Sequence, residues 1–363
     1  MARSDLPLAR AAHNDGPQGR HETDDPACAG AARRPARRGA VRRADKSSDT
    51  TTTTAAKGAA ALPSNTKATL ILDFLPNAVH AGIYRAIAAG YYKANNIDLK
   101  VIQPTSTADT LKLIDAGKAD FGIADGIDVA NQIDQGRDAK GIMAVVQRPL
   151  GGVITLKKSN ITSPKQLEGQ DVGITGVPSD TAILNTVVSH GGGDPSKVKK
   201  ITIGFNGVQN LENEKVKGFV GFYPADGVQV EQDGNPINVF KFDENGGPRY
   251  PGLVVFSTQA RIAKDAALMK AFVDATVKGY DDTIKNPTQS LNDLLAANKT
   301  LKRSLTAAQL KAYEPLFKAD AKRYGELNAA NIQALSEYLV KAKLIKKAIA
   351  ADRYGTNQFL PGG

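Results

Sequence analysis

From Lys67 onward the chain alternates short apolar runs with stretches in which apolar residues recur every three to four positions. That is the pattern of strand followed by helix. Residues 68–72, 99–103, 121–124 and 141–146 read as strands, and 108–116 and 127–135 as helices. Ile83, Tyr84, Ile87, Ala88 and Tyr91 mark another helix, directly after the first strand. The same order then restarts, with strands expected at 153–156, 171–174, 201–203, 218–223 and 237–242 and a helix at 181–189. Between the two units, Gln147-Arg148-Pro149-Leu150-Gly151-Gly152 reads as a hinge marked by Pro and Gly. A last strand at 252–256 leads into helical cover, near 265–285, 290–297, 307–316 and 329–347. Repeated β–α winding predicts an α/β fold with parallel strands.

Length agrees with the doubled pattern. At 363 residues, 41% hydrophobic and 23% charged, the chain is an ordinary globular composition too long for one core, and two lobes are expected. No window approaches the roughly eighteen uninterrupted apolar residues of a membrane-spanning helix. The single cysteine, Cys28, excludes an intrachain disulfide, a zinc ribbon and a cysteine-rich redox site. The net charge of +10 is spread: residues 1–46 hold nine Arg and one Lys against six acids, and Lys interspersed with acids makes up the rest. Runs such as Lys341-Ala342-Lys343-Leu344-Ile345-Lys346-Lys347 read as solvated helix faces, so no nucleic-acid partner is expected.

Residues 1–46 have no apolar period, no aromatic residue and no secretory apolar segment, a disordered composition without a signal peptide. Ser, Thr and Ala dominate 47–64, which reads as a flexible linker. A tether in front of a globular body suggests a misassigned start or a shifted reading frame upstream of it.

Chemistry concentrates where the first strand ends, in Leu72-Asp73-Phe74-Leu75-Pro76-Asn77-Ala78-Val79-His80-Ala81-Gly82-Ile83-Tyr84. Asp73, Asn77 and His80 would converge there with Phe74 and Tyr84, at the carboxyl end of a strand, where open α/β sheets place ligands. Asp73 and Asn77 could also serve as helix caps. Aromatic rings beside a few placed polar groups suit a small molecule. The four histidines, His13, His21, His80 and His190, share no metal-ligand spacing, and no cofactor motif is found. Gly173–Gly176 and Gly191–Gly193 match neither a phosphate loop nor a dinucleotide fingerprint and read as a tight turn and a helix stop, with His190 the helix-end residue. No Gly-x-Ser-x-Gly elbow is present.

Several segments resemble the periplasmic substrate-binding proteins of ABC importers, in particular the thiamine-pyrimidine-precursor binding group, and are similar to the thiamine-pyrimidine synthases. These are residues 72–84, Ala116-Gly117-Lys118-Ala119-Asp120-Phe121-Gly122-Ile123, Val146-Gln147-Arg148-Pro149-Leu150, 161–169, Gly227-Val228-Gln229-Val230-Glu231-Gln232-Asp233-Gly234 and Tyr250-Pro251-Gly252-Leu253-Val254, in family order over roughly 66–320. The resemblance implies a type II periplasmic-binding-protein fold of two doubly wound lobes, one from 65–148 plus 251–363 and one from 149–250, with the ligand between them. It implies a non-enzymatic, extracytoplasmic, lipid-anchored or periplasmic protein that serves an ABC permease. Carried over by position, ligand residues fall on Asp73, Phe74, Asn77, His80, Tyr84 and Asp125 in the first lobe, and on Thr175, Ser179, Asn206, Tyr223 and Asp226 in the second.

Two departures stand out: Phe74 replaces the family's usual Trp, and Tyr223 with Asp226 replaces an aromatic followed by Glu. His80 matches the histidine that the synthases consume, but their cysteine-rich iron motif has no counterpart, since the only cysteine is Cys28. Asp73, Asp125 and Asp226 disfavour a sulfonate or nitrate. They favour a neutral or cationic heterocycle, with a thiamine pyrimidine first and riboflavin as the alternative.

Overall fold

The computed structural model describes residues 61–362. The expectations for 1–46 and for most of the linker lie outside these residues. The linker's last residues do not behave as linker: Leu62 is buried, its N–H donates to the Asn95 carbonyl at 3.2 Å, and its own carbonyl accepts from Asn96 Nδ2 at 2.6 Å.

The first unit runs β1 (Thr66–Ile71), α1 (Ala81–Ala88), α2 (Tyr91–Ala94), β2 (Ile97–Ile102), α3 (Thr107–Asp115), β3 (Phe121–Asp125), α4 (Gly126–Asp134) and β4 (Ala139–Val146). The second runs β5 (Gly151–Leu156), β6 (Asp171–Ile174), α5 (Pro178–His190), β7 (Lys199–Thr202), α6 (Gly207–Glu212), β8 (Gly218–Phe222), a π-helical turn over Tyr223–Gly227, α7 (Val228–Gln232) and β9 (Ile237–Lys241). The chain then returns through β10 (Leu253–Thr258) to the helices α8 (Gln259–Lys264), α9 (Ala266–Lys285), α10 (Pro287–Ala297), α11 (Arg303–Lys318), α12 (Ala329–Lys341) and α13 (Ala351–Tyr354).

Two five-stranded sheets result, ordered β2-β1-β3-β10-β4 and β7-β6-β8-β5-β9. The expectation of parallel strands is corrected at one place in each. β10 runs antiparallel to β3 and β4, and β5 antiparallel to β8 and β9. In both cases the inserted strand is the first one after the chain passes from one sheet to the other, so it arrives from the opposite end. The remaining pairs, β1 with β2 and β3 and β6 with β7 and β8, are parallel.

Strands buried on both faces read as unbroken apolar runs, and β3 and β5 are buried at every position. Lys199-Lys200-Ile201-Thr202 forms the edge strand β7, exposed throughout, where lysines discourage pairing with another chain. The two segments that pass between the sheets, β4 to β5 and β9 to β10, run against each other, because a Cβ at Gly252 would land on the Arg148 carbonyl. Arg148 also ion-pairs with Asp243 of the second unit. The helix expected over 329–347 stops at Lys341: Lys343 adopts a left-handed conformation with φ 58°, which an α-helix cannot contain.

Candidate functional site

Loops at the carboxyl ends of strands from both sheets line one cavity, with about 770 Å³ of space counted to its open mouth. After β1 come Asp73, Phe74 and Asn77, and Asp125 ends β3. Thr175 and Ser179 follow β6, and Asp226 lies on the π-helical turn after β8. These seven of the residues expected from sequence are brought together.

Four are not among its lining residues. His80 is fully buried behind Asp73, since its ring bonds to the loop rather than facing the cavity. Tyr84 points from α1 into the core near Asn298. Asn206 is exposed at the start of α6, its Nδ2 turned back to the Ile203 carbonyl at 3.4 Å. Tyr223 lies under Lys241, with Nζ 5.0 Å from the ring centre, on the side of Arg148 and Asp243; burial pushes its hydroxyl up to about 12.

The loop after β1 is built from its own side chains. Asn77 Oδ1 accepts from the Val79 N–H at 3.0 Å, so it caps the short 3₁₀ turn Ala78–His80. His80 Nδ1 accepts from the Asn77 N–H at 3.2 Å. That nitrogen therefore carries no proton in the neutral ring, and Nε2–H donates to Asp73 Oδ1 at 2.9 Å. One Asp73 oxygen is thus engaged; the other has no protein partner among the described residues. Asp226 is arranged alike from the other sheet, with Oδ2 accepting from the Phe222 N–H at 2.8 Å. Burial raises its carboxyl to about 6, opposed by that one hydrogen bond.

Asp125 caps α4 by accepting from the Ile127 N–H at 2.8 Å, and the Tyr250 hydroxyl donates to both its oxygens at 3.0 and 3.1 Å. Burial, then the neighbouring Asp128, pushes it well above the usual carboxylate range. The cavity also holds two carboxylates that the sequence reading missed. Asp128 accepts from Ser179, and Asp180 Oδ2 accepts from the Thr175 N–H and hydroxyl, both at 2.7 Å, and from the Gly176 N–H at 2.8 Å. Thr175 and Ser179 therefore spend their hydroxyl protons on aspartates. A signal for both existed: Asp128 is one turn beyond the capping Asp125, and Asp180 stands in the first turn of its helix.

Phe74, Phe205, Phe219 and Phe222 supply the aromatic wall. Phe74 and Phe205 meet edge to face across the cleft, centroids 4.3 Å apart and planes at 65°. Among the described residues, five aspartates and no Lys, Arg or His line the cavity. Such a site accepts hydrogen bonds and repels anions. No set of three or more His, Cys, Asp or Glu is arranged to hold a metal among the described residues, and no described helix is long and apolar enough to cross a membrane.

The family described as NMT1/THI5 like matches residues 77–290. The formylaminopyrimidine-binding protein of Halalkalibacterium halodurans is 31% identical over 62% of this chain and 69% of its own length. The riboflavin-binding protein RibY of Chloroflexus aurantiacus is 28% identical over 84% of this chain and 88% of its own. A 4-amino-5-hydroxymethyl-2-methylpyrimidine phosphate synthase of Legionella pneumophila is 24% identical over 82% and 93%. Among solved structures, the alkanesulfonate-binding protein SsuA from Xanthomonas axonopodis pv. citri, bound to MOPS, superposes with a TM-score of 0.65 at 13% identity, over 81% of this chain and all of that one. The shared architecture is the periplasmic-binding-protein fold.

Proposed function

The chain belongs to the NMT1/THI5-like family, and from that premise we propose that it is the solute-binding protein of an ABC importer, closing two lobes around a pyrimidine precursor of thiamine. One observation carries the choice of ligand. Among the described residues, Asp73 and Asp226, from opposite sheets, each keep one oxygen without a protein partner, in a cavity walled by phenylalanines and free of basic lining residues. An aminopyrimidine offers a flat face to the rings and N–H donors at its edge to the two carboxylates. Charge-assisted hydrogen bonds of about 1.5–3 kcal/mol each, with about 0.5–1.5 kcal/mol from aromatic contact, support micromolar binding or better.

The crossings near 147–151 and 250–251 would act as the hinge, which divides the chain into 65–148 plus 251–363 and 149–250. Asp73, Phe74, Asn77 and Asp226 are the proposed ligand contacts. His80 supports a binder over a synthase, since a residue that is consumed must be reached, whereas both its ring nitrogens are engaged and the ring is buried. An extracytoplasmic site of action, a lipid anchor ahead of the body and a permease partner belong to the same proposal.

A second reading has one observation in its favour. Past Phe74 and Asp226 the cleft widens into a space bordered by Gln103, Gln229, Gln232, Asn298 and Gln309, suited to the hydroxylated tail of riboflavin. A thermal-shift panel separates the readings: formylaminopyrimidine, hydroxymethylpyrimidine, thiamine, riboflavin, taurine and nitrate. A ligand at one hundred times its Kd adds about 2.7 kcal/mol of stability. Stabilisation by pyrimidines alone is expected, stabilisation by riboflavin alone selects the second reading, and stabilisation by taurine or nitrate alone overturns both.

A further inference from the structure

Two helix N-termini meet at the cleft. α4 follows β3 of the first sheet and carries Asp128 in its first turn; α5 follows β6 of the second sheet and carries Ser179 in its own. The Ser179 N–H donates to Asp128 Oδ1 at 3.0 Å, and the Ser179 hydroxyl donates to Oδ2 at 2.8 Å. Asp128 is 1% exposed and Ser179 5%, so water does not compete for these bonds. Each Asp128 oxygen is used by a group from the other half, and Ser179 has no donor left. Both residues border the cavity, yet their hydrogen bonds run from half to half rather than toward a ligand.

We propose that Asp128 and Ser179 are a positioning pair, a clasp between the two halves that sets how long the cleft stays shut over its ligand. This rests on reading the two halves as closing lobes. Ser179 then contributes to affinity through closure, not as the direct ligand contact that the resemblance implied.

The clasp has a definite response to protons. Burial pushes the Asp128 carboxyl up to about 7; the two Ser179 bonds oppose the shift, and the charge of Asp180 adds to it. The other groups facing it are Asp125 at the α4 cap, Asp180 on α5, the Tyr250 hydroxyl before β10 and the Tyr354 hydroxyl of α13. Both tyrosines are shifted upward and stay neutral over the range that matters, and burial shifts Asp125 and Asp180 in the same direction as Asp128. Opening would return water to Asp128 and lower its proton affinity toward the ordinary carboxylate value of about 4. The closed form therefore binds more protons between about pH 4 and 7, so acidification through that window favours closure.

Amide exchange on the ligand-free full-length protein tests the clasp without reference to any ligand. Asp128→Asn preserves it, because the amide oxygen still accepts the Ser179 N–H while the amide nitrogen donates to Oγ, but it removes the titrating group. Ser179→Ala removes the hydroxyl bond. Exchange at 126–133 and 178–184 is expected to rise about tenfold in Ser179→Ala, with β1 and β4 unchanged. After correction for intrinsic exchange chemistry, the wild type should gain protection in both segments from pH 8 to pH 6, and Asp128→Asn should gain less, since Asp125 and Asp180 titrate in both proteins.

Stopped-flow dissociation of formylaminopyrimidine should be about tenfold faster from Ser179→Ala. Local exchange in Ser179→Ala identical to wild type, or an Asp128→Asn pH profile identical to wild type, would overturn the proposal. Should the pyrimidine bind none of the proteins while exchange changes as expected, the clasp stands and the ligand reading alone fails.

Discussion

At the scale of single residues, the orientation of Asp73 depends on a proton whose place is dictated by the backbone. The Asn77 N–H occupies His80 Nδ1, so the remaining ring proton sits on Nε2 and holds Asp73 Oδ1. His80→Ala strips a buried carboxylate of that donor and should cost about 1–3 kcal/mol in a urea titration, along with weaker ligand binding; unchanged stability would mean that Asp73 finds another donor. Asp226→Ala should weaken ligand binding at least tenfold by calorimetry, and unchanged affinity would remove Asp226 from the site.

The polar cluster after β1 was legible in sequence because a strand that ends in Asp-Phe-x-Pro-Asn announces a turn with side chains to spare. The division of labour within it was not. Nothing in the spacing of His80 says that it faces Asp73 from behind, and the role of Asp128 emerges only when two helices from different sheets are brought together.

At the scale of elements, the alternation of strand and helix was legible because strands covered on both faces are largely apolar, and β3 and β5 are buried at every position. Strand direction was not, since β5 and β10 gain their antiparallel neighbours from pairings between segments far apart in the chain. The π-helical turn over Tyr223–Gly227 was likewise hidden: 218–223 reads as one strand, yet the turn begins at Tyr223, rotates that ring away from the cleft and leaves Asp226 in it. The two crossings depend on a bare Cα at Gly252. Gly252→Ala would press a methyl group into the Arg148 carbonyl, and a loss of about 1–3 kcal/mol is expected in chemical denaturation; a neutral result would show that the crossings can part without penalty.

At the scale of the whole molecule, the two sheets converge on a cavity crowded with carboxylates, and the crowding has a pH signature. Asp125, Asp128, Asp180 and Asp226 all titrate above the ordinary Asp value, with Asp226 at about 6 and Asp128 at about 7, because burial penalises their charged forms. Between about pH 4 and 7 the native state therefore binds more protons than the unfolded chain, and unfolding free energy falls as pH rises through that window. The acids shifted the other way, Asp109, Asp194 and Glu214, lie near the surface, are screened by solvent and offset little of this. The ligand-free protein should melt several degrees higher at pH 5 than at pH 8, at about 2 °C per kcal/mol for a chain of this size, and Asp128→Asn should reduce the difference; a melting temperature that rises with pH would contradict the assignment.

The proposed cargo follows from the acidic cavity, whose five lining aspartates suit a planar donor of hydrogen bonds better than an anion. The direct measurement is calorimetric titration of formylaminopyrimidine into the full-length protein at pH 7. One site per chain with a Kd at or below the micromolar range, weakened at least tenfold by Asp226→Ala, is the expected result. No heat with the pyrimidine, together with saturable binding of taurine, would contradict a pyrimidine cargo.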